Sequence, residues 1–417
     1  MTSPRRRARV TIVTSGHLST CPRMLKSADA LAGAGYQVRV ISVNHTPWAT
    51  AADRAVVATR AWAWTGVDYS RTTARAAQVI TGVRFRAAHG LATTAGAARV
   101  PFLVAARAYS RAHTELVRAA TAKPADFVYG GTSGALAAIA ESARRLGVPY
   151  GIDLEDFHSA EKLGPEAAVT NALAERIERR VLPGASCLTT SSPMIAEAYL
   201  DKYGVRPVPI HNTFSISFGD ASDTVDRAVL RLYWFSQTLG PGRGIEDVVR
   251  AMGRAGGSAE LHLRARPTSA YFDALQTLQR NVAPALVLMP LEPAAPDEMV
   301  RLAQGYEAGL SCEDPVELNH RLCLGNKIFT YLAAGVPVIL SRTPAQAALA
   351  EDLGPAAFSY ECGDIDGLAQ VLRRLRDESG ARTRSQSAAR AAAERRWHWE
   401  HPDDRGALLA AVAGAVA

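Results

Sequence analysis

The segment GNKIFTYLAAGVPVIL, residues 325–340, joins a helical run to a short strand, and that junction marks an α/β chain. Ile328, Phe329, Leu332 and Ala333 recur at helical spacing, and Gly335 stands where a glycine commonly ends a helix. VPVIL then gives a short apolar run suited to a buried strand. Lys327 and Thr330 are the polar residues at the front of the helix, either a solvated helix start or part of a binding site.

The same alternation of short apolar strands with amphipathic helices fills both halves of the chain. RVTIVTSG, YQVRVISVN, ADFVYGGTSG, VPYGIDLED, ASCLTTSSP and PVPIHN read as strands of the first half, with a helix over about 23–34 after the first. VLRLYWFSQ, AELHLRA, ALVLMP, EAGLSCE, VPVILS and AAFSY do so in the second. Parallel sheets of right-handed βαβ units follow from this order. The expected fold is therefore α/β, with two Rossmann-like doubly wound domains facing a central cleft, over residues 1–213 and 229–384. FSISFGDASDTVD is polar and aperiodic, so residues 214–228 read as a linker. Residues 385–417 read as a helical tail whose Trp397 and Trp399 are too apolar to leave in water.

The chain has 417 residues, 48% hydrophobic and 21% charged, which is the composition of a globular protein. No uninterrupted apolar run reaches the length of a membrane span. MTSPRRRARVTIV has the charge of a signal peptide's start but leads into a strand without an apolar segment or cleavage site, so a cytoplasmic protein is expected. Cys21, Cys187, Cys312, Cys323 and Cys362 are scattered, which argues against structural zinc or a disulfide framework. The net charge of +7 points to an anionic partner. Nucleic acid ranks last, because basic residues are not interleaved with aromatics and no nucleic-acid-binding signature occurs.

Several stretches carry chemistry. LGPGRGIEDVVRAM, residues 239–252, follows a strand and opens a helix; Gly240, Gly242 and Gly244 permit a tight turn, and Arg243 lies within reach of a phosphate at the helix start. An ordinary strand-to-helix loop has the same appearance. SCEDPVELNHRLCLGNK, residues 311–327, offers Glu313, Asn319, Asn326 and Lys327, the residue types that grip a ribose, a sugar or a diphosphate. DLEDFHSAE, residues 153–161, ends a strand with Asp153, Glu155, Asp156 and His158, suited to binding acceptor hydroxyls or moving a proton, or to capping the next helix. Arg71, Arg75, Arg84, Arg86, Arg99, Arg107, Arg111 and Arg118 face a single acid, Glu115, with apolar stretches between them. Helices that rest on an anionic membrane have this composition, and so does a solvated arginine-rich surface.

Four blocks in order, TSGHLSTCPRMLKSADALAGAGYQVRVI, SCLTTSSPMIAEAYLDKYGVRPVPIHNTF, LYWFSQTLGPGRGIEDVVRAM and NKIFTYLAAGVPVILSRTPAQ, resemble the family 4-type glycosyltransferases of the GT-B fold. The resemblance implies an enzyme that transfers a sugar, with retention, from a nucleotide sugar held by the second domain to an acceptor held by the first. It implies no bound metal and no resident cofactor, the nucleotide sugar being a substrate. Cell-surface polysaccharide, glycolipid or natural-product assembly is the implied setting, and the arginine-rich stretch leaves open peripheral contact with the inner face of an anionic membrane. Gly16 and His17 fall where similar enzymes bring a glycine-rich loop near the donor, and Arg243 and Lys327 match basic family positions. The chain departs from the family at the E-x7-E glutamates, replaced by Leu322 and Thr330, and at an arginine replaced by Gln237. Those departures keep two other readings open: a nucleotide-sugar epimerase on the same fold, and a non-catalytic partner subunit.

Overall fold

The computed structural model of the protein describes residues 7–161, 164, 167–218, 229–267 and 269–416. The chain divides into two compact units, Met1–His211 with Pro402–Ala417, and Asn212–His401. Residues 219–228 of the expected linker lie outside the described residues.

In the first unit the strands are β1 Arg9–Thr14, β2 Gln37–Asn44, β3 Ala63–Asp68, β4 Phe127–Gly131, β5 Tyr150–Leu154, β6 Cys187–Thr190 and β7 Val208–Pro209. They pair in parallel in the order β3-β2-β1-β4-β5-β6-β7. β1 and β2 are buried almost end to end, which is why they read as predominantly apolar runs. β3 was not among the expected strands. Its residues Ala63, Thr65 and Gly66 offer little apolar patterning, and it forms the sheet's edge. At the centre, Gly130 of β4 lies against β1, where an added Cβ would stand 2.0 Å from the Val13 carbonyl oxygen.

The second unit holds β8 Leu230–Leu239, β9 Ala259–Pro267, β10 Leu286–Leu291, β11 Ala308–Ser311, β12 Val338–Ser341 and β13 Ala357–Tyr360. Their order is β10-β9-β8-β11-β12-β13, again parallel. Trp234, Leu261, Leu263, Val248, Leu310 and Ile339 share its core. Each such side chain contributes about 1.5–3 kcal/mol by leaving water.

The helix of the opening segment spans Asn326–Ala333, and every residue from Lys327 to Ala333 is buried. A solvated helix start is thus ruled out. The Tyr331 ring fills the space beside Gly309, where a Cβ would come within 2.3 Å of it, and Phe329 stacks on Trp397 at 5.4 Å between ring centres. Gly335 takes φ +74°, with its N–H donating to Leu332 and that of Val336 donating to Tyr331, the paired bonds that close a helix on a left-handed glycine.

The tail divides between the units. Ser379–Arg395 lies in the second, and Trp397, whose indole donates to Asp352 at 2.9 Å, packs there with Trp399. Ala407–Val416 lies in the first, burying Leu408 and Val412, while buried Asp404 accepts from the His211 N–H at 2.8 Å.

Gly130→Ala is expected to lower the stability of the first unit by about 3 kcal/mol, since the added methyl meets backbone rather than a movable side chain. Urea unfolding of the variant measures this, and an unchanged midpoint would show that β1 and β4 can spread.

Candidate functional site

In each sheet the strand order reverses once, between β1 and β4 and between β8 and β11. Loops leaving the carboxyl ends on either side of such a reversal diverge, which opens a crevice suited to a ligand. In the second unit this place is a cavity of about 460 Å³, lined by Gly244, Asp247, Arg250, Glu313, Ser341 and Tyr360 among others. Gly244 has φ +69°, and a Cβ there would meet Cys312 at 2.6 Å, so only glycine lets the loop after β8 approach the end of β11.

Glu313 is held on both sides. Its N–H donates to the Ser341 hydroxyl at 2.8 Å, and that hydroxyl donates to the Glu313 carbonyl at 2.9 Å. Its carboxylate lies 3.1 Å from the Lys327 ammonium, both side chains being less than 10% exposed. Burial pushes the Glu313 carboxyl up, but the charges of Lys327, His320 and Arg243 outweigh that and hold it below the ordinary range. Burial raises the Cys312 thiol, another lining group, to about 12, so it stays protonated at neutral pH.

Of the donor-side residues expected from the sequence, Gly244 and Glu313 line the cavity, Arg243 sits between lining Gly242 and Gly244, and Lys327 joins through Glu313. Asn319 is buried in the helix Leu318–Leu322, and Gln237 is exposed near the end of β8. Neither they nor Asn326 and Thr330 are among the lining residues. The Thr330 hydroxyl donates to the Asn326 carbonyl one turn back, at 2.9 Å. Glu246, Asp247, Arg250, Ser341 and Tyr360 were not anticipated; the acids looked like ordinary first-turn residues of the helix Ile245–Ala255. Those acids already complement that helix's dipole, whereas Asn326–Ala333 has no first-turn acid and no side-chain cap.

In the first unit, Gly16 and His17 follow β1, and the His17 ring is fully engaged. Its Nδ1 pairs with Asp53 at 2.9 Å, and its Nε2 accepts the N–H groups of His45 and Thr46 at 3.3 and 3.2 Å. That pattern fixes the proton on Nδ1 and makes His17 a brace for the loop after β2. Asp153 is likewise engaged, receiving Arg23 through two bonds of 2.8 and 2.5 Å and the Thr189 hydroxyl at 2.6 Å, all buried. Arg23 also donates to the Ile210 carbonyl at 2.7 Å.

Glu155 differs. Burial pushes its carboxyl up to about 7 despite the pull of Arg23, with Asp156 and Asp153 adding to the rise. His158 is buried, its Nδ1 3.3 Å from Glu161. Burial works against its charge, but Glu161, Glu178 and Asp156 prevail and raise it to about 9. Among the described residues, Asp156, His158 and Glu161 bring ligand-type atoms within 4.8 Å of one another. At neutral pH the imidazolium fills the role of their cation, so a metal would first have to displace its proton.

Because folding favours the His158 imidazolium, its contribution is complete below about pH 6.5 and fades as the pH rises through about 9. Between those values the first unit is expected to lose up to about 1.4 kcal/mol per pH unit. Urea unfolding across the window should show this slope, flattened in His158→Gln; an equal slope in the variant would assign the titration elsewhere.

The glycosyl transferase 4-like domain family matches residues 20–212. A comparison with curated proteins by sequence finds no match. HepE of Anabaena, solved with UDP and glucose, is similar in structure over 98% of both chains, with 15% identity and a TM-score of 0.70. Sucrose-phosphate synthase of Thermosynechococcus elongatus is similar over 99% of this chain and 100% of its own, with 14% identity and a TM-score of 0.66. A glycosyltransferase of Rickettsia africae matches over 98% and 99%, with 10% identity and a TM-score of 0.65. The two parallel-sheet units thus have the GT-B fold, and within the first of them a glycosyl transferase 4-like domain covers residues 20–212.

Proposed function

We propose that the protein moves a glycosyl group, with retention, from a nucleoside-diphosphate sugar to a hydroxyl of a glycan, glycolipid or natural-product acceptor. The observation that carries this reading is the cavity at the β8/β11 reversal, where carboxylates that accept sugar or ribose hydroxyls adjoin basic groups suited to an anion. Glu313 and Asp247 supply the acceptors. The diphosphate suits the uncapped start of Asn326–Ala333 together with Lys327 and Arg243. Negative charge gathers on the diphosphate as the glycosidic bond breaks, and donors fixed beforehand stabilise it without reorganising. A uridine nucleotide is the first choice, because HepE has been solved with UDP and glucose and with UDP-glucose.

In the first unit Glu155 is the group suited to take the acceptor's proton, since a carboxyl near 7 is half ionised at neutral pH yet basic enough to hold a proton. Protonated His158 serves as a donor. Asp153, tied to Arg23 and Thr189, acts by positioning.

The test is turnover of UDP-, GDP- and ADP-linked sugars by the purified protein, with product analysis. Failure of all three to bind would favour the partner-subunit reading, and a rearranged nucleotide sugar without transfer would favour the epimerase. Arg243→Ala is expected to lower kcat/KM about ten- to a hundred-fold with an unchanged unfolding midpoint, the loss of one charge-assisted hydrogen bond. In wild type, kcat/KM should rise with pH through about 7. Glu155→Gln should lower turnover about a hundred-fold or more and abolish that limb; a limb unchanged in the variant would remove Glu155 from the proton transfer.

A further inference from the structure

The helix Arg75–Ala95 carries its apolar residues on the wrong side for a core helix. Thr81, Gly82 and Ala92 face inward, and Ala92 joins a small core with Val100, Ala105 and Ala108. Val79, Ile80, Val83 and Leu91 face out, 56%, 59%, 53% and 48% exposed. At 3.6 residues per turn these four fall within about 120° of the helix circumference, which makes one continuous aliphatic ridge. No helix among the described residues is long and apolar enough to cross a membrane.

The charge around the ridge has one sign. Arg75 and Arg86, both exposed, lie within about 20° of each other along one border of the ridge, and exposed Arg71 precedes the helix. Glu115, the single acid of residues 71–118, is turned to Arg84 at 2.5 Å, each side chain about a quarter exposed or less. Arg111 is also withdrawn, donating to the Thr81 hydroxyl at 2.9 Å and lying over the Tyr69 ring. Structure therefore narrows eight arginines to the few that border the ridge.

We propose that this face docks on an anionic lipid surface, the ridge entering the headgroup boundary and Arg71, Arg75 and Arg86 meeting lipid phosphates. Aliphatic residues flanked by arginine are what an interfacial helix presents to acidic lipid. A second copy is a poor occupant, because it would set arginines against arginines with no acid to relieve them. An acidic protein is disfavoured because the ridge lacks the aromatic anchors that carry most protein interfaces.

Flotation with phosphatidylcholine vesicles, with and without phosphatidylglycerol, tests this. The protein is expected to float only with phosphatidylglycerol, and the bound fraction should fall about ten-fold as salt shortens the Debye length. The double variants Val79→Asp/Val83→Asp and Arg75→Glu/Arg86→Glu should each lose about ten-fold or more while keeping the wild-type circular dichroism spectrum, since every altered side chain is exposed. Val83→Trp should shift its fluorescence to the blue on phosphatidylglycerol vesicles. Absence of flotation, equal flotation with neutral lipid, or full flotation of both double variants would overturn the proposal. A solution dimer abolished by Val79→Asp/Val83→Asp would give the face to a second copy, and capture by polyglutamate without flotation would give it to an acidic protein.

Discussion

The buried contact between Glu313 and Lys327 governs the cavity of the second unit. It ties the loop leaving β11 to the first turn of Asn326–Ala333, across the intervening helix Leu318–Leu322. A pair so enclosed cannot lose one member cheaply, because the survivor is left charged and dry. It also sets the electrostatics of the cavity. Because Lys327 is already matched by an acid, a diphosphate held as proposed would draw on Arg243 and backbone amides as well as on Lys327, while the carboxylates facing the cavity suit hydroxyl groups.

The first unit uses the same pairing of acid and base with different residues. Asp153 closes β5 and holds Arg23, which anchors the helix Pro22–Gly33 and reaches the carbonyl of Ile210 after β7. Both sheets thus stiffen their carboxyl edges with a buried acid gripped by a base from the start of a neighbouring helix. What differs is the group left titratable. In the first unit Glu155, next but one to the locked Asp153, keeps a carboxyl near 7.

The doubly buried strands were legible because a parallel strand covered on both faces is mostly apolar, as VTIV and VRVISV are, with only Thr11, Arg39 and Ser42 polar. β3 was not, because an edge strand rich in small and polar residues breaks no pattern that a loop would keep. Lys327 stood out by type, but its partner lies 14 positions away, and the pairing depends on how the chain turns between them. The role of His17 was hidden for a related reason: Asp53 and the amides of His45 and Thr46 come from the connection after β2. The arginine-rich stretch showed its composition plainly; which side of Arg75–Ala95 meets water was decided by packing against the helix Phe102–Tyr109.

The division of the tail has a consequence for how the protein is made. The second unit is continuous from Asn212 to His401, whereas the first needs both its opening stretch and the helix Ala407–Val416. During synthesis the second unit therefore leaves the ribosome whole before the first has received Asp404, Leu408 and Val412, all of them buried. The usual order of domain folding, amino-terminal part first, is reversed at the final step. Until those residues emerge, the backbone N–H of His211 lacks the acceptor it has in the folded unit, and the seat of the helix Ala407–Val416 is open to water and to chaperones.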